Sequence, residues 1–209
     1  HYALGNFEQS IQLRQQQLQL VQQLGDWRKE ADAFLQLGAA HSALSQYQQG
    51  IDYYEDALEI FQKTGERPAE VQALNYLGYA YHNSGDSELG INLLQRAVAI
   101  ASRLEDPQYR TYALTNLGRL YAASGQPAPA VTTYQTLLTL VQDSGNRLGE
   151  AEVQVALARN QAQLDQPAEE LSPYQQALAI YREFDQPAAE AEMLYALGST
   201  HARLQQQAE

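Results

Sequence analysis

The stretch "ALTNLGRLYAASGQP", residues 113–127, places apolar residues at helical spacing around a glycine. Ala113, Leu114, Leu117, Leu120 and Tyr121 recur three and four residues apart, as on one face of an amphipathic helix, and Gly118 sits in the middle of that face. A glycine inside a helix costs about 1 kcal/mol relative to alanine, because it surrenders more backbone freedom on ordering. A residue that works against its own helix points to a packing demand, and such a demand should recur.

It does recur. Leu117-Gly118 returns as Leu37-Gly38, Leu77-Gly78, Leu157-Ala158 and Leu197-Gly198, at a constant step of 40 residues. Ala57, Ala97 and Ala177 keep the same step, as do Tyr54, Tyr134 and Tyr174, and Ile11, Ile51, Ile91 and Val131. The chain is a tandem array. Turn signals divide each unit in two. One set falls at Gly25-Asp26, Gly65-Glu66, Asp106-Pro107, Gly145-Asn146 and Gln186-Pro187; the other at Gly5-Asn6, Ser45-Gln46, Gly85-Asp86, Gly125-Gln126-Pro127 and Asp165-Gln166-Pro167. The spans between them carry helical periodicity and no strand-like alternation, so each unit reads as two helices, A then B. The expected layout is one array over 1–209: a lone B helix at 6–24, full A/B units at 26–64, 66–104, 106–144 and 146–184, and a lone A helix at 186–206.

The unit resembles the tetratricopeptide repeat, whose pattern is W-x2-L-G-x2-Y followed by A-x3-F. Leu74, Leu77, Gly78 and Tyr81, then Gly90, Leu94 and Ala97, meet it in one unit; Leu114, Leu117, Gly118 and Tyr121, then Ala130 and Tyr134, meet it in the next. The units exceed the usual length, and Gln62, Ser102, Gln142 and Arg182 stand where the late proline of the pattern would fall. In this the chain looks most like the 40-residue repeats of Pins-type adaptors and many bacterial arrays. The resemblance implies an all-α fold, a right-handed α-solenoid of stacked helix-turn-helix units, with the A helices along the inner wall. It also implies a protein–protein interaction scaffold that is not an enzyme and uses no cofactor.

Gly38, Gly78, Gly118 and Gly198 together cost about 4 kcal/mol relative to alanine, which close helix packing must offset. Small residues in helix B, at Gly50, Gly90 and Ala130, are the expected counterparts. The first helix, with Phe7, Ile11, Leu18 and Val21, has no A partner, and the chain opens on His1. It therefore reads as cut from a longer array or as packing its ends on another chain.

A net charge of −12 disfavours nucleic acid and anionic membrane surfaces as partners. The absence of cysteine removes disulfides and thiolate metal sites. No apolar run reaches bilayer length, so a soluble protein is expected, the cytoplasm being the favoured compartment. No phosphate-binding loop or nucleophile elbow occurs. The four histidines lack the spacing of a zinc site, and His41 and His201 read as half-buried structural residues. Glu169-Glu170 and Asp52 with Glu55-Asp56 read as solvated faces.

The A helices offer the more specific expectation. Gln72, Asn75, Tyr79 and His82 form one stripe facing the groove, Tyr112, Thr115, Arg119 and Ala122 the next, then Glu152, Val155, Arg159 and Ala162, then Glu192, Tyr195, Ser199 and Ala202; Asn116 and Tyr76 flank it. Arg119 and Arg159 share a column, and Arg203 lies near the next. Guanidinium forks suit carboxylates, Asn can bond a peptide backbone, and Tyr gives rigid contact area. The expected ligand is a protein or peptide segment with an acidic group. Two other functions fit the same sequence: a regulatory or sensory segment of a larger signalling protein, and self-association through uncapped terminal helices. In the fourth unit Gln154, Gln161, Glu170 and Pro173 break the pattern, which predicts a bend near 169–173 and looser packing.

Overall fold

The computed structural model describes residues 2–208, with side-chain surroundings from 8 to 206. Among the described residues the chain is all-α, ten helices joined by turns: α1 (Tyr2–Leu24), α2 (Trp27–Ala43), α3 (Tyr47–Thr64), α4 (Arg67–Ser84), α5 (Ser87–Ala101), α6 (Pro107–Ala123), α7 (Pro127–Asp143), α8 (Arg147–Gln163), α9 (Pro167–Glu183) and α10 (Pro187–Ala208). The contacts divide the chain into two compact units, His1–Ala113 and Leu114–Glu209.

The turns follow from local chemistry. Gly25, Gly65, Gly85, Gly125 and Gly145 take φ between 66° and 105°, and Ser45, Asp165 and Asp185 take the same left-handed region at 55° to 59°. After most of these turns the next helix starts on a side-chain cap or a proline, α3 at Gln46 having neither. Asp26 accepts the Lys29 N–H at 3.1 Å, Asp86 that of Leu89 and Asn146 that of Gly149, both at 3.0 Å, while Pro127 and Pro167 open α7 and α9. Gly5-Asn6, expected as a turn, lies inside α1. Glycine weakens a helix without ending it; most of the ends elsewhere among the described residues combine a left-handed residue with a cap or proline.

In the first unit one core runs through Ile51, Tyr54, Phe61, Val71, Leu74, Leu77 and Leu93. In the second, Val155, Ala158, Tyr174, Ala177, Ile180 and Met193 form a cluster of α8, α9 and α10. Burying each large apolar side chain contributes about 1.5–3 kcal/mol. The helical glycines sit where helices of a pair touch. A Cβ on Gly118 would stand 2.7 Å from the Tyr134 ring, and one on Gly90 would stand 2.5 Å from the carbonyl oxygen of Gly78. The second contact is with backbone, which cannot swing aside. Gly38 meets the Tyr54 ring in the same way. Gly198 makes no such contact among the described residues: nothing lies within 4 Å of the place its Cβ would take, and α10 packs on α9.

A recurring tie joins the end of a B helix to the start of the next A helix at four of the five junctions. Gln22 donates to Glu30 at 3.0 Å, Gln62 to Glu70 at 3.1 Å, Gln142 to Glu150 at 2.9 Å and Arg182 to Glu190 at 2.7 Å. Glu70 and Glu150 are buried, and their second oxygens take Arg67 and Arg147. The donors occupy the column of the missing late proline. At the remaining junction Ser102 and Arg110 stand in these two columns, and α5 ends on Ser102 in right-handed conformation, followed by an irregular segment.

The fourth pair, α8 with α9, departs from expectation. α9 runs unbroken from Pro167 to Glu183 through a buried Pro173. The polar replacements are matched only in part: buried Gln154 donates to Gln176 at 2.6 Å, and one oxygen of the fully buried Glu170 is held by Arg203 of α10, while Gln161 Oε1 and the second Glu170 oxygen are buried without a hydrogen-bond partner. Glu170 is thus no solvated carboxylate.

Candidate binding groove

In the first unit the opening turns of α4 and α6 flank an open cleft of about 560 Å³. α4 supplies Pro68, Ala69, Gln72 and Tyr76; α6 supplies Gln108, Tyr109 and Tyr112; Glu66 and Asp106, which precede the two helices, complete it. The helical period sets this arrangement, since Pro68, Gln72 and Tyr76 lie four apart and Tyr109 and Tyr112 three apart. Tyr76 is braced from behind by Tyr54, with ring centroids 5.5 Å apart and planes 15° from parallel, and from the side by Gln72, whose amide reaches its hydroxyl at 3.3 Å. Burial pushes the Tyr54 phenol above its ordinary range. Asp106 accepts the Gln108 N–H at 2.8 Å, which fixes its carboxylate at the head of α6. Glu66 holds Arg28 at 2.5 Å.

Gln72 and Tyr112, both on the expected stripes, line this cleft. Tyr109, Gln108 and Pro68 lie three or four residues before Gln72 and Tyr112 on the same face, one turn ahead of the expected stripes. Other expected groove residues fare unevenly. Arg119, Arg159, Tyr195 and Ser199 are exposed, and Tyr79, His82 and Thr115 are half-buried. His82 bonds Ser87 at 2.8 Å. Asn75, Asn116 and Val155 are buried and do not face a groove. Asn75 donates its amide to the Val71 carbonyl at 2.6 Å, which lets a polar group lie in the core.

The arginine column divides as well. Arg159 is paired with Glu192, both exposed, and Arg203 turns inward to Glu170. Arg119 makes no ion pair among the described residues and lies near Tyr134, whose phenol is raised by burial and lowered, to a lesser degree, by that guanidinium. His41 stacks on Tyr53 with centroids 5.3 Å apart and bonds Gln46, as a structural histidine should, whereas His201 is exposed rather than half-buried. Asp56 is also unlike an ordinary solvated carboxylate: desolvation, then the charges of Glu59, Asp52 and Glu55, push it upward. Among the described residues no His, Asp and Glu cluster could hold a metal ion, and no helix is long and apolar enough to cross a membrane.

A family model described as "Tetratricopeptide repeat" matches residues 1–63, 69–143 and 116–183. The chain is a tetratricopeptide repeat protein. No curated protein matches it. Among solved structures, TPR-like repeats of a kinesin light chain from Podosopora anserina share 23% identity, cover 87% of this chain and 90% of that one, and superpose with a TM-score of 0.73. BtubC from P. vanneervenii is 15% identical, with 95% and 84% covered and a TM-score of 0.80. A signal transduction ATPase with a tetratricopeptide repeat sensor, from Pyrococcus horikoshii, is 16% identical over 95% of this chain and 30% of that chain, with a TM-score of 0.78. At these identities the likeness is one of fold, that of tetratricopeptide repeat solenoids.

Proposed function

We propose that the protein is a non-catalytic interaction module that holds an extended segment of a partner protein along the exposed faces of its A helices. The observation that carries this reading is the cleft of about 560 Å³ walled by three tyrosines and two glutamines of α4 and α6. Tyrosines give large rigid contact at small entropic cost, and glutamine amides can bond a peptide backbone through both donor and acceptor. Membership of a family whose repeats are in general interaction modules supports it. Taken by itself, the second unit offers exposed Arg119 as a contact for an acidic group; Arg159, already facing Glu192, is not required for it.

Photo-crosslinking tests this. A benzophenone side chain is placed at Tyr79, Tyr112 or Arg119, and for contrast at Glu59 and Thr139, exposed on helices α3 and α7. Each variant is challenged with a random dodecapeptide library. Crosslinks concentrated at the first three positions are expected. Equal yields at Glu59 and Thr139 would overturn the reading.

A further inference from the structure

We infer that the cleft between α4 and α6 seats the guanidinium of an arginine carried by the partner's segment, against the carboxylate of Asp106. This rests on the reading of the A-helix faces as a binding surface. The repeat itself supplies the template. One step up the array, Arg28 of α2 places its guanidinium on Glu66, the residue just ahead of α4. Advancing both residues by 40 gives Pro68 and Asp106. Asp106 keeps the carboxylate ahead of its helix, but the cation that should meet it has become a proline, and both residues line the open cleft. Arg103 and Arg110, the cations nearest Asp106 in the chain, form no ion pair with it among the described residues.

The surroundings suit a guanidinium. One oxygen of Asp106 is held by the Gln108 N–H at 2.8 Å, so the carboxylate is already oriented. Tyr76, Tyr109 and Tyr112 line the same cleft, and a planar, weakly hydrated guanidinium packs against aromatic rings while its edge bonds a carboxylate. Arg28 shows this dual habit within the protein: its guanidinium carbon lies 5.4 Å from the centre of the Trp27 ring while its edge meets Glu66. The chemistry is the reverse of that at Arg119, so the two faces select opposite charges.

The test is an amide NMR titration of the whole chain with acetyl-Ala-Leu-Arg-Leu-Pro-Ala-amide, and with the same peptide carrying citrulline or glutamate in place of arginine. The arginine peptide should shift resonances of residues 68–76 and 106–112, with the neutral citrulline peptide at least about tenfold weaker. Asp106→Asn retains a capping oxygen for α6 and should weaken the arginine peptide by about the same factor. Pro68→Arg supplies the missing cation from within and should abolish binding while the spectrum stays that of a folded protein. If the three peptides perturb the cleft equally, or Asp106→Asn binds as the parent does, the arginine seat is wrong while the groove reading stands. If no peptide perturbs any A-helix residue, both are wrong.

Discussion

The two compact units are built from one repeat yet present different A-helix surfaces. In the first, Gln72, Tyr76, Tyr109 and Tyr112 leave an aromatic cleft. Two repeats on, eighty residues later, the same columns hold Glu152, Ala156, Ala189 and Glu192, and Glu192 is already spoken for by Arg159. Columns at helix contacts behave in the opposite way: Ala57, Ala97 and Ala177 are all fully buried, and Gly38 and Gly118 each face a tyrosine ring. Packing positions are thus held to one size because close-packed interiors feel a single methylene, whereas groove positions vary with whatever each unit is to touch.

The strongest way to break this comparison is to violate a packing column. Gly90→Leu drives a side chain into the backbone of Gly78 and should cost about 3 kcal/mol or prevent folding; thermal denaturation measures it, and a small loss would mean that the contact is not required. Next comes Arg203→Ala, which strands the buried Glu170 carboxylate and should cost about 2–3 kcal/mol. The double variant Arg203→Leu with Glu170→Ala should recover most of that loss, since it removes the charge along with its partner. Glu70→Ala cuts one tie and should cost about 1–2 kcal/mol in urea unfolding, against about 0.5 kcal/mol or less for Arg159→Ala, whose exposed pair is screened by solvent. Gly198→Ala should stabilise, by about 0.5–1 kcal/mol, because nothing opposes the new methyl group and helix propensity improves.

A titration adds a different check on the first unit. Tyr81 donates its hydroxyl to Glu55 at 2.8 Å, and desolvation first, then that carboxylate, push its phenol up to about 12. Its pKa is raised on folding, so its stabilising contribution is fully present below the unfolded value near 10 and is lost as pH rises through about 12. Ultraviolet titration should show this tyrosinate forming late, and Glu55→Gln should bring it earlier.

The fold was legible because it depends on spacing: the 40-residue step, the 3.6-residue period and the turn residues are all local or periodic facts. The groove was only partly legible. A helical stripe says which residues share a face, not how many neighbours cover it. α4 touches α2, α3 and α5, so its buried arc is wide and takes in Asn75, whereas Tyr195, in the same column of α10, is 82% exposed. Burial of Asn116 and Val155 follows the same logic. Ion pairs such as Arg159 with Glu192 and Arg203 with Glu170 span 33 residues and become visible only when two units are superposed. The Gln-to-Glu tie is legible in the sequence, since its donors fill the column of the absent proline and Glu30, Glu70, Glu150 and Glu190 follow them by eight residues.

That tie has a consequence for how such a chain grows. Donor and acceptor lie eight residues apart in sequence, so a duplicated or deleted segment one repeat long carries the tie intact unless its ends fall inside those eight residues. Repeat number can therefore change by inheritance without parting a buried carboxylate from its donor. Ser102 with Arg110 is the junction at which a segment boundary would part no such pair.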